Sequence, residues 1–142
     1  MIEGEIVENG AGAVEVTSQG KGRWEQVAFI ANRGDTVVVS DGGRPAMRQC
    51  RIEEAEGAGL RFCNQGQGTI EEMEIVGSGG PGVEIEEGAN PSLRHVRITD
   101  GKGPGITVQA LGAGTLDHCV VTGNAGGDWL VAEGARLVRI KC

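Results

Sequence analysis

Tyrosine is missing from this sequence of 142 residues, and phenylalanine and tryptophan occur only twice each. Sugar-binding faces built on aromatic platforms are therefore not expected. Lysine is almost as scarce, at Lys21, Lys102 and Lys141, and the net charge is −7. Non-specific nucleic-acid binding depends on clustered Lys and Arg that release counterions, so no nucleic-acid partner is expected. No apolar run approaches the length of a membrane span, and the N-terminal "MIEGEIVENG" is acidic rather than a basic leader. The four cysteines, Cys50, Cys63, Cys119 and Cys142, show neither CxxC nor His/Cys spacing, which removes the common zinc and redox motifs. No Asn-x-Ser/Thr acceptor is present, because Asn90 precedes Pro91. These absences lead us to expect a soluble, cytoplasmic chain with no membrane association and no cofactor.

Helical periodicity is also lacking over any useful length, and its place is taken by a repeat. Trp24, Met47, Ile70, Leu93 and Leu116 recur every 23 residues, each followed three places on by Val27, Cys50, Met73, Val96 and Cys119. Two places further come Phe29, Ile52, Ile75, Ile98 and Val121. A second apolar pair closes each unit: Val37 and Val39, Leu60 and Phe62, Val83 and Ile85, Ile106 and Val108, Trp129 and Val131. Extended backwards, the same register takes in Met1, Ile6, Val14 and Val16. Extended forwards, it makes the last unit two residues short, with Leu137, Ile140 and Cys142 resuming the first three positions.

Within a unit the apolar residues alternate, the pattern of a strand with one buried face. Glycine, 26 residues in all, punctuates the strands. Gly57, Gly80, Gly103 and Gly126 share one position and Gly59, Gly82 and Gly105 another. Such positions need either positive φ or close approach of neighbouring backbone. A unit of two or three short strands cannot bury its apolar face alone, so like units must stack, parallel strand on parallel strand, around one interior. The fold class expected is therefore all-β, a single-stranded parallel β-helix of about six to seven 23-residue coils, occupying 1–142 as one domain or as a segment of a longer protein. At ~4.8 Å per coil the rod is on the order of 30 Å long.

The units "NPSLRHVRITDGKGPGITV" and "TLDHCVVTGNAGGDWLV" resemble the right-handed parallel β-helix repeats of the pectate-lyase-like superfamily, which occur in carbohydrate-binding, sugar-hydrolase and adaptor proteins. The resemblance implies a right-handed coil and leaves the activity open, because one coil type serves lyases, hydrolases and non-catalytic modules. Enzymes of that class display several aspartates with an Arg or Lys base on one face. Here Asp35, Asp41, Asp100, Asp117 and Asp128 occupy different repeat positions, and no carboxylate pair at glycosidase spacing can be built from the register.

Several constellations remain. His95 aligns with His118 one coil later and with Glu72 one coil earlier, so these three are the candidate binding residues, expected to point outward from stacked strands. Without a third ligand of matching geometry they are not expected to hold a metal. Glu25, Arg48, Glu71, Arg94 and Asp117 form one outward series, and Arg51, Glu74 and Arg97 another. Opposite charges then alternate up the stack, a ladder that disfavours slipped registers. Glu84, Glu86 and Glu87, with Glu53, Glu54 and Glu56 on a turn of the coil before, form an acidic cluster that calcium would suit, except that these glutamates do not share repeat positions. "GSGGPG", Gly77 to Gly82, satisfies GxGxxG but leads into a strand and reads as a turn. Asn9, Asn32 and Asn124 share a position and suit an internal asparagine stack. Trp24, Trp129, Cys50 and Cys119 fall inward.

A β-helix normally protects its first and last coils. No amphipathic helix serves that purpose here. The functional expectation is a non-catalytic scaffold that binds a protein partner, or self-associates, through a lateral face or its end coils. The competing expectation, taken from the resemblance, is recognition or processing of an acidic polysaccharide at His95, His118 and Glu72. No residue is assigned as catalytic.

Overall fold

The computed structural model describes residues 2–7, 14–16, 21–31 and 33–142, with side chains for Val16 and from Arg23 onward. Every regular element among the described residues is a strand. β1 (Ile2–Val7) and β2 (Val14–Val16) open the chain, β3 (Lys21–Ile30) runs through a corner, and β4 (Val37–Val39) completes that coil. The next coil is β5 (Arg44–Arg48), β6 (Arg51–Glu53) and β7 (Leu60–Phe62), followed by β8 (Thr69–Glu71), β9 (Glu74–Val76) and β10 (Val83–Ile85). Then come β11 (Ser92–Arg94), β12 (Arg97–Thr99) and β13 (Ile106–Val108), and β14 (Ala113–Asp117), β15 (Val120–Thr122) and β16 (Trp129–Val131), with β17 (Arg136–Ile140) beginning a further coil.

All pairings are parallel, and from β3 onward every one joins residues 23 apart, as in Val83↔Ile106 and Leu93↔Leu116. Three faces result. β3, β5, β8, β11, β14 and β17 form the first; β1, the end of β3, β6, β9, β12 and β15 the second; β2, β4, β7, β10, β13 and β16 the third. The solenoid makes about five turns, slightly fewer than the six to seven expected. The difference lies at the ends, where β17 stands alone in its coil and 8–13 and 17–20 lie outside the described residues.

Alternation explains the core. On the third face each strand of the series β4, β7, β10, β13 buries its first and third residues, so Val37, Val39, Leu60, Phe62, Val83, Ile85, Ile106 and Val108 stack in columns at or below 1 % exposure. The other two faces add Met47, Ile70, Leu93 and Leu116, and Phe29, Ile52, Ile75 and Ile98. Each fully buried aliphatic side chain contributes roughly 1.5–3 kcal/mol, and like side chains stacked in columns bury one another.

The shared glycines are explained by crowding rather than by positive φ. A Cβ at Gly80, Gly103 or Gly126 would lie 3.1, 3.0 or 2.6 Å from the carbonyl carbon of the glycine one coil below, at Gly57, Gly80 and Gly103. Corners instead carry the left-handed residues. Gln26, Gln49, Glu72, His95, His118 and Lys141, all with φ of 52–55°, form one such series and turn the chain from the first face to the second. Ala31, Glu54, Gly77, Asp100 and Gly123 form another, Gly42, Gln65, Gly88, Leu111 and Gly134 a third. Non-glycine residues pay roughly 1–2 kcal/mol for this geometry. Backbone bonds between coils offset it: the N–H groups of Gln49, Glu72, His95 and His118 donate to the carbonyls of Glu71, Arg94, Asp117 and Ile140 at 2.8–3.1 Å.

Both ends depart from the expected register. β1 has an irregularity between Ile2 and Gly4, which sets Ile2 against Trp24 in the place expected for Met1. At the other end the unit is not two residues short: β17 keeps the interval of 23, so Arg139 follows Leu116, Ile140 follows Asp117 and Leu137 follows Gly114. Continuity decides this, because Ala132 N–H donates to Val108 O and Arg136 N–H to Gly112 O, carrying the ladder unbroken from β16 into β17. Arg139 is accommodated by laying its guanidinium 3.7 Å above the Trp129 ring, a cation–π contact on a half-buried indole.

Candidate functional site

His95, His118 and Glu72 are brought together, but at a corner rather than on strands. They belong to the left-handed series between the first and second faces, and their side chains form a polar file along the rod. Gln26 Nε2 donates to Gln49 Oε1 at 3.4 Å, and Gln49 Nε2 to Glu72 Oε2 at 3.1 Å. Higher up, the His95 and His118 rings lie 5.1 Å apart, tilted by 33°, and His118 Nδ1 contacts Asp117 Oδ1. All of these corner side chains are exposed. A shallow depression of ≈ 200 Å³ between Glu71, Glu72, Arg94 and His95 borders the file, and another of ≈ 400 Å³ lies beside Gln26, Gln49 and Glu72. Among the described residues no group of three or more His, Cys, Asp or Glu is placed to hold a metal.

The outward charge series align as expected, with Arg48 and Arg94 flanking Glu71 and with Glu74 between Arg51 and Arg97. Direct ion pairs nevertheless run elsewhere among the described residues. Arg51 Nε bonds Glu53 Oε1 on its own strand at 2.9 Å, and Arg23 meets Glu25 at 4.0 Å. Side chains two apart on one strand face the same way, and so reach each other as readily as their neighbours on adjacent strands.

A stronger network sits on the third face. Arg61 Nε pairs with Glu86 and Arg61 Nη1 with Asp35 Oδ2 at 3.3 Å, while Asp35 Oδ1 also accepts from the Ala58 N–H at 2.8 Å. Glu84 stands beside this cluster, accepting from Gln109 Nε2 at 3.2 Å. Its pKa is raised above the usual 4.5, first by burial and then by Glu86, with Arg61 opposing. Same-position comparison misses this network because its members are 25 and 26 residues apart, reaching obliquely between coils. Asn124 is buried: its Oδ1 accepts from Gly101 N–H at 2.9 Å, and its Nδ2 donates to Ile98 O at 3.3 Å. Asn9 and Asn32 lie outside the described residues, and Ala55, Ser78 and Gly101 fill the positions between Asn32 and Asn124.

The C-terminal coil differs from those before it in what it shows to solvent. Val120 follows Arg51, Glu74 and Arg97 on the second face, and Ile140 follows Arg48, Glu71, Arg94 and Asp117 on the first. Leu130 follows Arg61, Glu84 and Thr107 on the third. Where the coils just before present polar or charged side chains, Val120, Leu130 and Ile140 are 47, 56 and 43 % exposed, and Val138 beside them 52 %. Trp24 is buried as expected, whereas Trp129 is only partly so. Cys50 and Cys119 are core residues, Cys63 is half-buried, and Cys142 is exposed. Burial, with the neighbouring Cys142, pushes the Cys119 thiol up to about 11.

Residues 1–139 match the family described as the right handed beta helix region. The chain belongs to this family. The right-handed β-helix assignment covers all but the last residues of the described solenoid and agrees with the right-handed preference of parallel crossovers. Neither a curated protein nor a solved structure matches it.

Proposed function

We propose that this β-helix is a non-catalytic interaction module that self-associates, its C-terminal coil stacking on the first coil of a second copy. The observation that carries the reading is the change from polar or charged to apolar outward residues at Val120, Leu130 and Ile140, which follow Arg97, Thr107 and Asp117. Charge supports the choice of partner. Residues 129–142 hold Arg136, Arg139 and Lys141 against Glu133 alone, whereas residues 1–16 hold Glu3, Glu5, Glu8 and Glu15 and no cation. Parallel strands with a common period extend head to tail without reversing direction, which makes the contact heterologous. Sedimentation over a concentration series tests it. The weight-average mass should rise with concentration, fall back in high salt, and stay monomeric for the double variant Leu130→Asp/Val138→Asp, whose positions face outward. A wild-type protein that is monomeric throughout overturns the proposal, as does a double variant that associates equally well.

A second reading rests on the corner file. Glu72 and His95 line the ≈ 200 Å³ depression, with His118 5.1 Å from His95, and there the Arg94 guanidinium is the group that would pair with the carboxylates of an acidic polysaccharide. Binding and turnover on a panel of such polymers, with and without calcium, should then depend on His95 and His118. Values unchanged in His95→Ala and His118→Ala would remove this site.

A further inference from the structure

The corrected register of the last coil places Cys142 in the column Val27, Cys50, Met73, Val96, Cys119, one coil beyond Cys119. The column's three thiols make equivalent contacts. Cys50 Sγ donates to Arg48 O at 3.4 Å and Trp24 O at 3.5 Å, Cys119 Sγ to Asp117 O and Leu93 O at 3.6 Å each, and Cys142 Sγ to Ile140 O and Leu116 O at 3.4 Å each. Cys142 is thus held in register, and its Sγ accepts from the Cys119 N–H at 3.2 Å. Coils ~4.8 Å apart put the two Cα atoms inside the ~4.4–6.8 Å range that a disulfide spans. Closing the bond asks the Cβ atoms to approach to ~3.8 Å, a shift of about 1 Å. Cys142, exposed and beyond the last residue of β17, is placed to make it. Cys50 has no such neighbour, since Val27 and Met73 flank it in the column.

We propose that Cys119 and Cys142 are a dithiol modification site, closed to a disulfide by a low-molecular-weight disulfide such as oxidised glutathione. The Cys142 thiolate attacks one sulfur of the reagent, forming a mixed disulfide and expelling one glutathione thiolate. The Cys119 thiolate then attacks the Cys142 sulfur, forms the intramolecular bond and expels the second. Two protein thiols are oxidised, the reagent is reduced to two thiols, and the protons given up by the cysteines pass to them. Entry falls to Cys142 because it is exposed whereas Cys119 is buried. The second step is the slower one, because a buried thiol that resists ionisation offers little thiolate.

The test is intact-mass and peptide mapping of the folded protein exposed to oxidised glutathione. The wild type should show a transient glutathione adduct on Cys142, then a species lacking two hydrogens whose cross-linked peptides contain Cys119 and Cys142. In Cys119→Ala, a small apolar replacement beside Val96, the adduct should persist. In Cys142→Ser neither species should form, and Cys50→Ala should behave as wild type. A wild-type adduct as persistent as that of Cys119→Ala, a cross-link to any other cysteine, or no reaction at all overturns the proposal.

Discussion

Replacing Gly82 by alanine tests the close packing of coils at a single atom. Gly82 does not occupy the left-handed region, so its backbone admits alanine, but the space does not. The added Cβ would lie 2.5 Å from Ile98 Cγ2 and 2.8 Å from the Gly105 carbonyl oxygen. Ile98 is 1 % exposed and β-branched, hence stiff at χ1, and Gly105 O already accepts the Val83 N–H at 3.0 Å. Neither can yield without spreading two coils. Overpacking of this kind costs about 2 kcal/mol. With an unfolding entropy of about 2.1 cal/mol/K per residue, roughly 0.3 kcal/mol/K for the chain, the melting temperature should fall by about 7 °C. Gly127→Ala is the control: nothing lies within 4 Å of its Cβ, and only its φ of +97° is strained. That strain costs about 1 kcal/mol. Far-UV circular dichroism melts of the three proteins read the result. A Gly82→Ala melting temperature within about 2 °C of wild type, or above that of Gly127→Ala, would refute the steric reasoning.

Other perturbations probe the remaining features. Glu84→Gln should stabilise the protein at neutral pH and lose that advantage as the pH falls toward 4.5. The folded pKa of Glu84 is raised, so the folded state binds more protons than the unfolded one just above that value, and wild-type stability declines as pH rises through the window. Melting temperatures of both proteins across pH check the sign. Arg139→Gln should cost about 0.5–1 kcal/mol by removing the cation–π contact, and acrylamide should then quench the fluorescence of Trp129 more readily while that of buried Trp24 changes little. The oxidised Cys119–Cys142 form closes a loop of 23 residues, for which chain entropy sets an upper bound of about 3.4 kcal/mol. Non-reducing melts should therefore lie above reducing ones in wild type and coincide in Cys142→Ser.

The coil was legible because burial imposes it on residue type at every turn: the columns from Leu60 to Val108 and from Met47 to Leu116 could be read by counting. The corners were not. Glu72 and Gln49 have no marked preference for left-handed geometry, and the moderate enrichment of histidine there is too weak a signal to mark His95 as a corner. A backbone bond to the next coil holds each one, and that bond exists only after the coils have stacked. The pair of histidines was therefore correctly aligned but placed on strands. Counting also failed where two registers were both apolar. Leu137, Ile140 and Cys142 fit a unit of 21 residues by type, yet the uninterrupted ladder from β16 selected 23, and the Cys119–Cys142 neighbourhood followed from that selection alone. The Arg61 network was hidden for another reason, since long side chains cross between coils obliquely.

The corner bonds all run one way. In each, the N–H of a left-handed residue on one coil is satisfied by a carbonyl on the coil that follows it in sequence: Gln49 by Glu71, Glu72 by Arg94, His95 by Asp117, His118 by Ile140. A ribosome delivers those acceptors a full circuit after the donors. During synthesis the newest corner must therefore wait, strained and unpaired, until another 22 residues have emerged, so that the solenoid sets behind the growing chain with a constant lag of about one coil.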